Sequence, residues 1–322
     1  MKIVYTPEHR MHVPMKELDR GKWIENPEKP ERIEAIKDML ILSGFEDISP
    51  PLSFPDSYIY MVHSPEYVEW LRRKSEEMEE NEEYFPEVFG HDMCFDTGTP
   101  ISSWTFKAAR TAVDVVLTAS KHIMRGENVV YALCRPPGHH ASFESCGGYC
   151  YFNNVAISAF YFLKHGSSRI SILDLDFHHG NGTQDIFYFS KEVYYISIHG
   201  DPKEFYPWIS GFPWEIGEGE GEGYNLNLPL NEKASWEEYS KALEKALNEI
   251  EDFEPEILLI SMGFDTHKED PLGKFELEDE DFYRMGHVIA QLDVPKLVVQ
   301  EGGYNPKACG RAAMKFFAGL SE

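Results

Sequence analysis

Residues 170–182 read Ile170-Ser-Ile-Leu-Asp174-Leu-Asp176-Phe-His178-His179-Gly-Asn181-Gly182. The apolar, β-branched opening predicts a buried strand from Ile170 to Asp174 that hands the chain to a polar loop at its carboxyl end. Asp176 and His178 are two apart on what should be the last extended residues. Both side chains then face one side and can grip one ion. An isolated Asp-x-His carries little weight, so the reading depends on what the rest of the chain adds.

Working outward, the same strand pattern recurs at Ile3 to Tyr5, Val129 to Cys134, Val193 to Ile198, Ile257 to Ser261 and Lys296 to Gln300. Between these runs, apolar residues fall at helical spacing. Ile33, Ile36 and Leu40 precede a Gly44 stop, and Trp104, Ala108, Ala112, Val116 and Ser120 line a second helix. A third opens with the capping-box pair Ser235 and Glu238 and turns Trp236, Tyr239, Leu243 and Leu247 inward. Strands alternating with helices predict an α/β fold, with a central, mostly parallel β-sheet flanked by helices. No repeat or linker divides residues 1–322, so a single domain is expected.

The chain has 322 residues, 42% of them hydrophobic, and no apolar run long enough to span a bilayer. Its 30 basic and 55 acidic side chains leave a net charge of -25, which repels nucleic acid and anionic membranes and attracts cations. Met1 to Arg10 lacks the sections of a secretory signal. Cys94, Cys134, Cys146, Cys150 and Cys309 are odd in number and suit reduced thiols, so a cytoplasmic location is expected. The Glu-rich stretch from Ser75 to Glu87 and the Gly/Glu alternation from Gly217 to Gly223 read as solvated loops or a frayed helix.

In an open parallel sheet, ligands bind beyond the carboxyl ends of the strands. Four polar motifs sit there. Arg135-Pro-Pro-Gly-His139-His140 follows the Val129 strand, and the quoted loop follows Ile170. Gly263-Phe-Asp265-Thr-His267 follows Ile257, and Glu301-Gly-Gly-Tyr304 follows Lys296. Asp265 completes an Asp176, His178, Asp265 set: two carboxylates and an imidazole leave a tetrahedral Zn²⁺ one open position for water. Fe²⁺, Co²⁺ and Mn²⁺ suit the same ligands. His139 and His140 are candidates for proton transfer, with Asp174 and Asn181 available to orient them. Tyr304 is a candidate oxyanion donor. Gly148, Tyr149 and Tyr206 are candidate walls of a narrow channel for an aliphatic chain, although core packing would also employ such aromatics.

These residues resemble the arginase-deacetylase superfamily and, within it, the histone deacetylase and acetylpolyamine amidohydrolase family. Arg135-Pro-Pro-Gly-His-His-Ala141, Gly148-Tyr-Cys-Tyr-Phe-Asn-Asn154, Asp174 to Gln184, Gly263 to His267 with Asp270-Pro-Leu-Gly273, and Glu301 to Tyr304 carry the resemblance over almost the whole chain. It implies zinc on Asp176, His178 and Asp265, proton handling by His139 and His140, and carbonyl polarisation by Tyr304. It also implies potassium near Asp174, Asp176, His178, Ser197 and Ile198, with a second ion around Phe187, Ser190, Val193 and Tyr224. Asn181 stands where class I histone deacetylases carry Asp.

Val4 to Arg10 with Lys16-Glu-Leu18, and Phe95-Asp96-Thr-Gly-Thr-Pro-Ile101, resemble the acetylpolyamine branch. That branch implies a homodimer built with an inserted loop, which falls in the acidic region 72–95, and a small cationic acetylated amine as substrate. Asp96 and Leu272 join the expected substrate rim, and Leu272 lacks the acidic gatekeeper of one eukaryotic polyamine deacetylase. The competing readings are acetyl-lysine deacetylation, a catalytically silent acetylamine-binding protein, and an arginase-like ureohydrolase. The last would need two metals and further bridging aspartates.

Overall fold

A computed structural model describes residues 1–322 except 20, 89 and 91. Among the described residues the strands are β1 (Lys2–Val4), β2 (Lys16–Asp19), β3 (Lys22–Glu25), β4 (Ile48–Ser49), β5 (Val129–Ala132), β6 (Ile170–Asp174), β7 (Val193–Gly200), β8 (Asn225–Leu230), β9 (Ile257–Met262) and β10 (Lys296–Gln300). The helices are α1 (Pro30–Leu42), α2 (Pro65–Glu76), α3 (Thr105–Ile123), α4 (Asn154–Lys164), α5 (Asn181–Phe187), α6 (Trp236–Phe253), α7 (Asp279–Ala290) and α8 (Pro306–Leu320).

One parallel sheet of eight strands, ordered β4-β1-β5-β10-β9-β6-β7-β8, organises the molecule; β2 and β3 pair separately as an antiparallel hairpin. Successive strand residues point to opposite faces, and two cores follow from that alternation. Val4, Ala132, Ile172, Leu259 and Val299 pack toward α2, α3 and α4. Their neighbours Ile3, Tyr131, Leu173, Ile260 and Val298 pack toward α1, α6, α7 and α8. With helices on both faces, every residue of β6, β9 and β10 is buried. Each fully buried Val, Leu or Ile contributes about 1.5–3 kcal/mol.

The six strands expected from sequence are all present, with ends shifted by no more than two residues. The expectation of a mostly parallel sheet sharpens to a wholly parallel one. The two-residue β4, the β2–β3 hairpin and β8 were not anticipated, since short or polar segments carry no period-two signal. Trp104 caps the start of α3 and is 36% exposed, outside the core stripe that the periodicity suggested. In α6, Glu238 Oε2 accepts the Ser235 N–H at 3.1 Å, as the capping box predicts. Tyr239 and Leu243 are buried there, while Trp236 and Leu247 are only partly so. The acidic region 72–95 begins as the last turn of α2 and becomes irregular after Glu76; its positions 89 and 91 lie outside the described residues.

Three histidines near the N-terminal segments make the fold acid-sensitive. Burial, against which nearby acids only partly act, pulls His9 down to about 4 and His12 to about 3, and burial also takes His63 to about 4. In the unfolded chain they titrate near 6.5. Between pH 6.5 and about 4 the unfolded chain therefore binds protons that the folded chain refuses. Stability is present above 6.5 and falls as pH drops through that window. Because buried Glu17, Asp265 and Glu301, pushed up to about 7, act in the opposite sense over the same window, the test is comparative: the fall in urea-unfolding midpoint from pH 7 to pH 4 should be shallower in His12→Gln than in wild type, and an equal fall would contradict this account.

Candidate active site

The four motif-bearing strands are consecutive in space, as β5-β10-β9-β6. Their carboxyl-terminal loops therefore converge, although β9 and β10 lie far along the chain from β5 and β6. Asp176 and His178 are not on the strand itself, which ends at Asp174. They share one side because the loop folds back: Asp176 Oδ1 accepts the His178 N–H at 2.9 Å, and Asp174 Oδ1 accepts the Asp176 N–H at 3.2 Å.

His178 Nδ1 lies 2.9 Å from Asp265 Oδ2 and 3.3 Å from Asp176 Oδ1. One ligand atom from each of the three residues lies within 4.8 Å of the others. Their remaining oxygens are held by backbone: Asp265 Oδ1 accepts from Phe177 N at 2.9 Å and Asp176 Oδ2 from Gly302 N at 2.8 Å. Burial and the Asp176 charge push the Asp265 carboxyl up to about 7, the strain of two acids sharing one small space. A divalent cation relieves that strain, and the mixed oxygen and nitrogen set is one that zinc accepts. The backbone has been cleared for this cluster. A Cβ on Gly263 would stand 2.2 Å from Asp176 Oδ2, and one on Gly302 would stand 2.5 Å from it.

The paired imidazoles have separate partners. His139 Nδ1 lies 3.0 Å from Asp174 Oδ2, which also accepts from Tyr195 Oη at 2.9 Å. His140 Nδ1 lies 2.7 Å from Asn181 Oδ1, an oxygen that only accepts, so Nδ1 carries the hydrogen and Nε2 keeps its lone pair. Burial, with His139 and His178 close by, holds His140 well below its ordinary value. For His139 the burial penalty is outweighed by Asp174 and Asp176, which push it up to about 10. Gly148, at φ 56, lets the chain run against His140; a Cβ there would stand 2.1 Å from the ring.

Tyr304 packs edge-on against Tyr149 at 5.6 Å, with the Arg32 guanidinium 5.3 Å above its ring. Burial raises its phenol well above the usual value; Arg32 opposes the shift, and Asp176 and Asp265 reinforce it. Tyr206 stands edge-on to His140 at 4.9 Å and lies 6.2 Å from His178. Leu272 is partly buried beside Asp270. Ser197 is the register partner of Asp174 across β6 and β7, with Ile198 next in line.

Three contributors escaped the sequence reading. Glu301 is buried, and its Oε2 accepts Gly138 N at 2.7 Å and His139 N at 3.2 Å, holding the His-His turn. Asp270 Oδ2 accepts Tyr304 N at 2.6 Å. Both lie inside quoted motifs, where a buried carboxylate beside glycines was the available signal. Arg32 gave none, because it reads as an ordinary helix residue. Glu301 also forms an acid, thiol and imidazole group with His139 and Cys150. Burial and Glu301 hold Cys150 well above its usual value, as a thiol rather than a metal-binding thiolate.

A family model described as the histone deacetylase domain matches residues 26–320. The chain is 38% identical over 340 residues to acetylpolyamine amidohydrolase 1 of Pseudomonas aeruginosa, covering 99% of this chain and 98% of that protein. It is 36% identical over 308 residues to histone deacetylase 6 of Caenorhabditis elegans, covering 89% of this chain and 31% of that protein. The crystal structure of acetylpolyamine aminohydrolase from Burkholderia pseudomallei matches with a TM-score of 0.95 and 35% identity, over 100% of this chain and 98% of that one. A match along nearly the whole chain meets a site whose acids, imidazoles and phenol converge from four strand ends, and the chain belongs to the histone deacetylase family.

Proposed function

We propose that this protein is a zinc-dependent amidohydrolase that deacetylates small cationic acetylated amines of the acetylpolyamine type, giving free amine and acetate. The observation that carries this reading is the convergence of the Asp176, His178 and Asp265 cluster with His140 Nε2 and the Tyr304 phenol in one buried site. The polyamine preference draws support from relatives of that name aligned along 98% of their length and from the net charge of -25.

A divalent ion on the three ligands would supply Lewis-acid polarisation of water and of the acetyl carbonyl. His140, its tautomer set by Asn181, accepts the proton of the attacking water at Nε2. Tyr304 donates to the oxyanion as it forms. A protonated histidine then delivers hydrogen to the leaving amine nitrogen. Tyr149 and Tyr206 wall the approach, with Gly148 close to His140 and Leu272 toward the rim.

The proposal extends to a potassium ion at Asp174, Asp176, His178, Ser197 and Ile198, a second around Phe187, Ser190, Val193 and Tyr224, and a cytoplasmic homodimer. Among the described residues no helix is long and apolar enough to cross a membrane, and the five cysteines are free. On the hairpin, the cross-strand pair Leu18 and Trp23 is 36% and 55% exposed on one face, an apolar patch suited to a second copy.

One preparation tests these points together: elemental analysis, sedimentation velocity, and kinetics on acetylputrescine, acetylspermidine and an acetyl-lysine peptide. Zinc near one per chain, potassium, a dimer and kcat/KM at least about tenfold higher for the acetylated polyamines are expected. A tenfold preference, about 1.4 kcal/mol, toward the peptide would transfer the substrate to protein acetyl-lysine.

A further inference from the structure

Asp96 stands among the residues expected to meet the substrate, but its carboxylate is already engaged. Oδ2 accepts the Gly148 N–H at 2.6 Å and the Tyr206 hydroxyl at 2.8 Å, while Oδ1 accepts the Gly98 N–H at 3.0 Å. These bonds join three separate loops. Residues 93–95 are already laced to Cys146, whose N–H reaches Met93 O at 3.0 Å and whose carbonyl accepts Phe95 N at 3.1 Å. Phe95 stacks on Tyr206 at 5.9 Å with planes 20° apart.

The consequence falls on His140. Tyr206 presents its ring edge-on to that imidazole at 4.9 Å and 88°, and Gly148 lies so close to the same ring that a Cβ there would stand 2.1 Å from it. These two neighbours of His140 are thus hung on one oxygen of Asp96. With its hydroxyl hydrogen committed to Asp96, Tyr206 faces the reacting groups as an aromatic surface rather than as a donor.

We infer that Asp96 is a positioning residue, which clamps Tyr206 and Gly148 around His140, and not an anchor for the substrate's distal ammonium. The inference rests on the deacetylase reading above and specifies how that site is held. Bonds to a carboxylate are stronger than neutral ones, which suits a joint between loops that no regular sheet unites. Misplacing a reacting group by about 1 Å can cost on the order of a hundredfold in rate.

The test compares Asp96→Ala, Asp96→Asn, Tyr206→Phe and Asp96→Ala/Tyr206→Phe on two substrates of equal length, a monoacetylated diamine and a neutral acetylated alkylamine. Clamping predicts that Asp96→Ala lowers kcat by about ten- to a hundredfold on both substrates, with KM little changed. Asp96→Asn, whose amide oxygen can still accept from Gly148 and Tyr206, should stay within about threefold of wild type. Tyr206→Phe should show a smaller loss on both substrates, and the double variant should be no worse than Asp96→Ala, because the two residues act through one contact.

An ammonium anchor gives the opposite pattern. Asp96→Ala and Asp96→Asn would then raise KM for the diamine alone, with kcat and the neutral substrate unaffected, and that result would overturn the inference. Losses that multiply in the double variant would also overturn it. If Asp96→Ala fails to fold, Asp96→Asn and Tyr206→Phe still separate the two patterns. A wild type inactive on both substrates sinks the deacetylase reading and the positioning role together, a result distinct from either pattern.

Discussion

Replacing Tyr304 with phenylalanine is expected to lower kcat by about 10²- to 10³-fold, equivalent to about 3–4 kcal/mol, with KM nearly unchanged. The size follows from what the change removes. In the proposed mechanism the phenol donates to developing negative charge, and the substitution removes that hydrogen without putting another donor in its place. What remains explains why the fold should survive. The ring keeps its edge-on contact with Tyr149 at 5.6 Å and its place beneath Arg32 at 5.3 Å, while the backbone stays tied to Asp270 through the 2.6 Å bond from Tyr304 N. Steady-state kinetics paired with thermal melts separates the two effects. Full activity in Tyr304→Phe would remove the oxyanion role.

The second large effect is expected from Asp265→Asn, which should abolish metal retention and lower activity by more than about 10³-fold, since polarisation of water and carbonyl is lost together. The substitution preserves shape, and its amide oxygen can still accept from Phe177 N, the bond now 2.9 Å long to Asp265 Oδ1. What it removes is one of two buried negative charges beside His178. Metal that binds only the folded chain stabilises it by about 2.7 kcal/mol at a hundredfold excess over Kd. Chelator-stripped wild type should therefore gain several degrees in thermal midpoint when zinc is restored, and Asp265→Asn should gain almost none. A variant that keeps one zinc per chain and its turnover would break the ligand assignment.

Much of the architecture was legible because the strands that matter are buried on both faces. Such strands read as largely apolar runs, and β5, β6, β7, β9 and β10 do, with their few polar residues mostly near the strand ends. The segments that escaped notice had no such requirement. The hairpin of β2 and β3 is partly exposed, β4 has two residues, and β8 carries asparagines whose side chains are used in hydrogen bonds to Gln184. The loop after β6 shows the same limit at smaller scale. Alternation along an extended strand was the expected reason for Asp176 and His178 to share a side, whereas a backbone turn onto Asp176 Oδ1 achieves it. The two side chains come together as expected, by a different local geometry.

The sequence alone determined the chemical inventory: which acids, imidazoles and phenol stand at the ends of apolar strands, and hence the expectation that one divalent ion and a proton-transfer group belong together. It did so because a strand's composition and the residues just beyond it are local facts. Only the tertiary structure decided that β9 and β10 insert between β5 and β6, bringing Asp265 to His178 and Glu301 to His139. The sequence offered Asp174 and Asn181 as partners of the two imidazoles, and the fold bonds them to His139 and His140 respectively; only the fold joined Asp96 to both Gly148 and Tyr206. Those partnerships join loops distant in the chain, and the order in which strands pack, which no local pattern encodes, determines which loops meet.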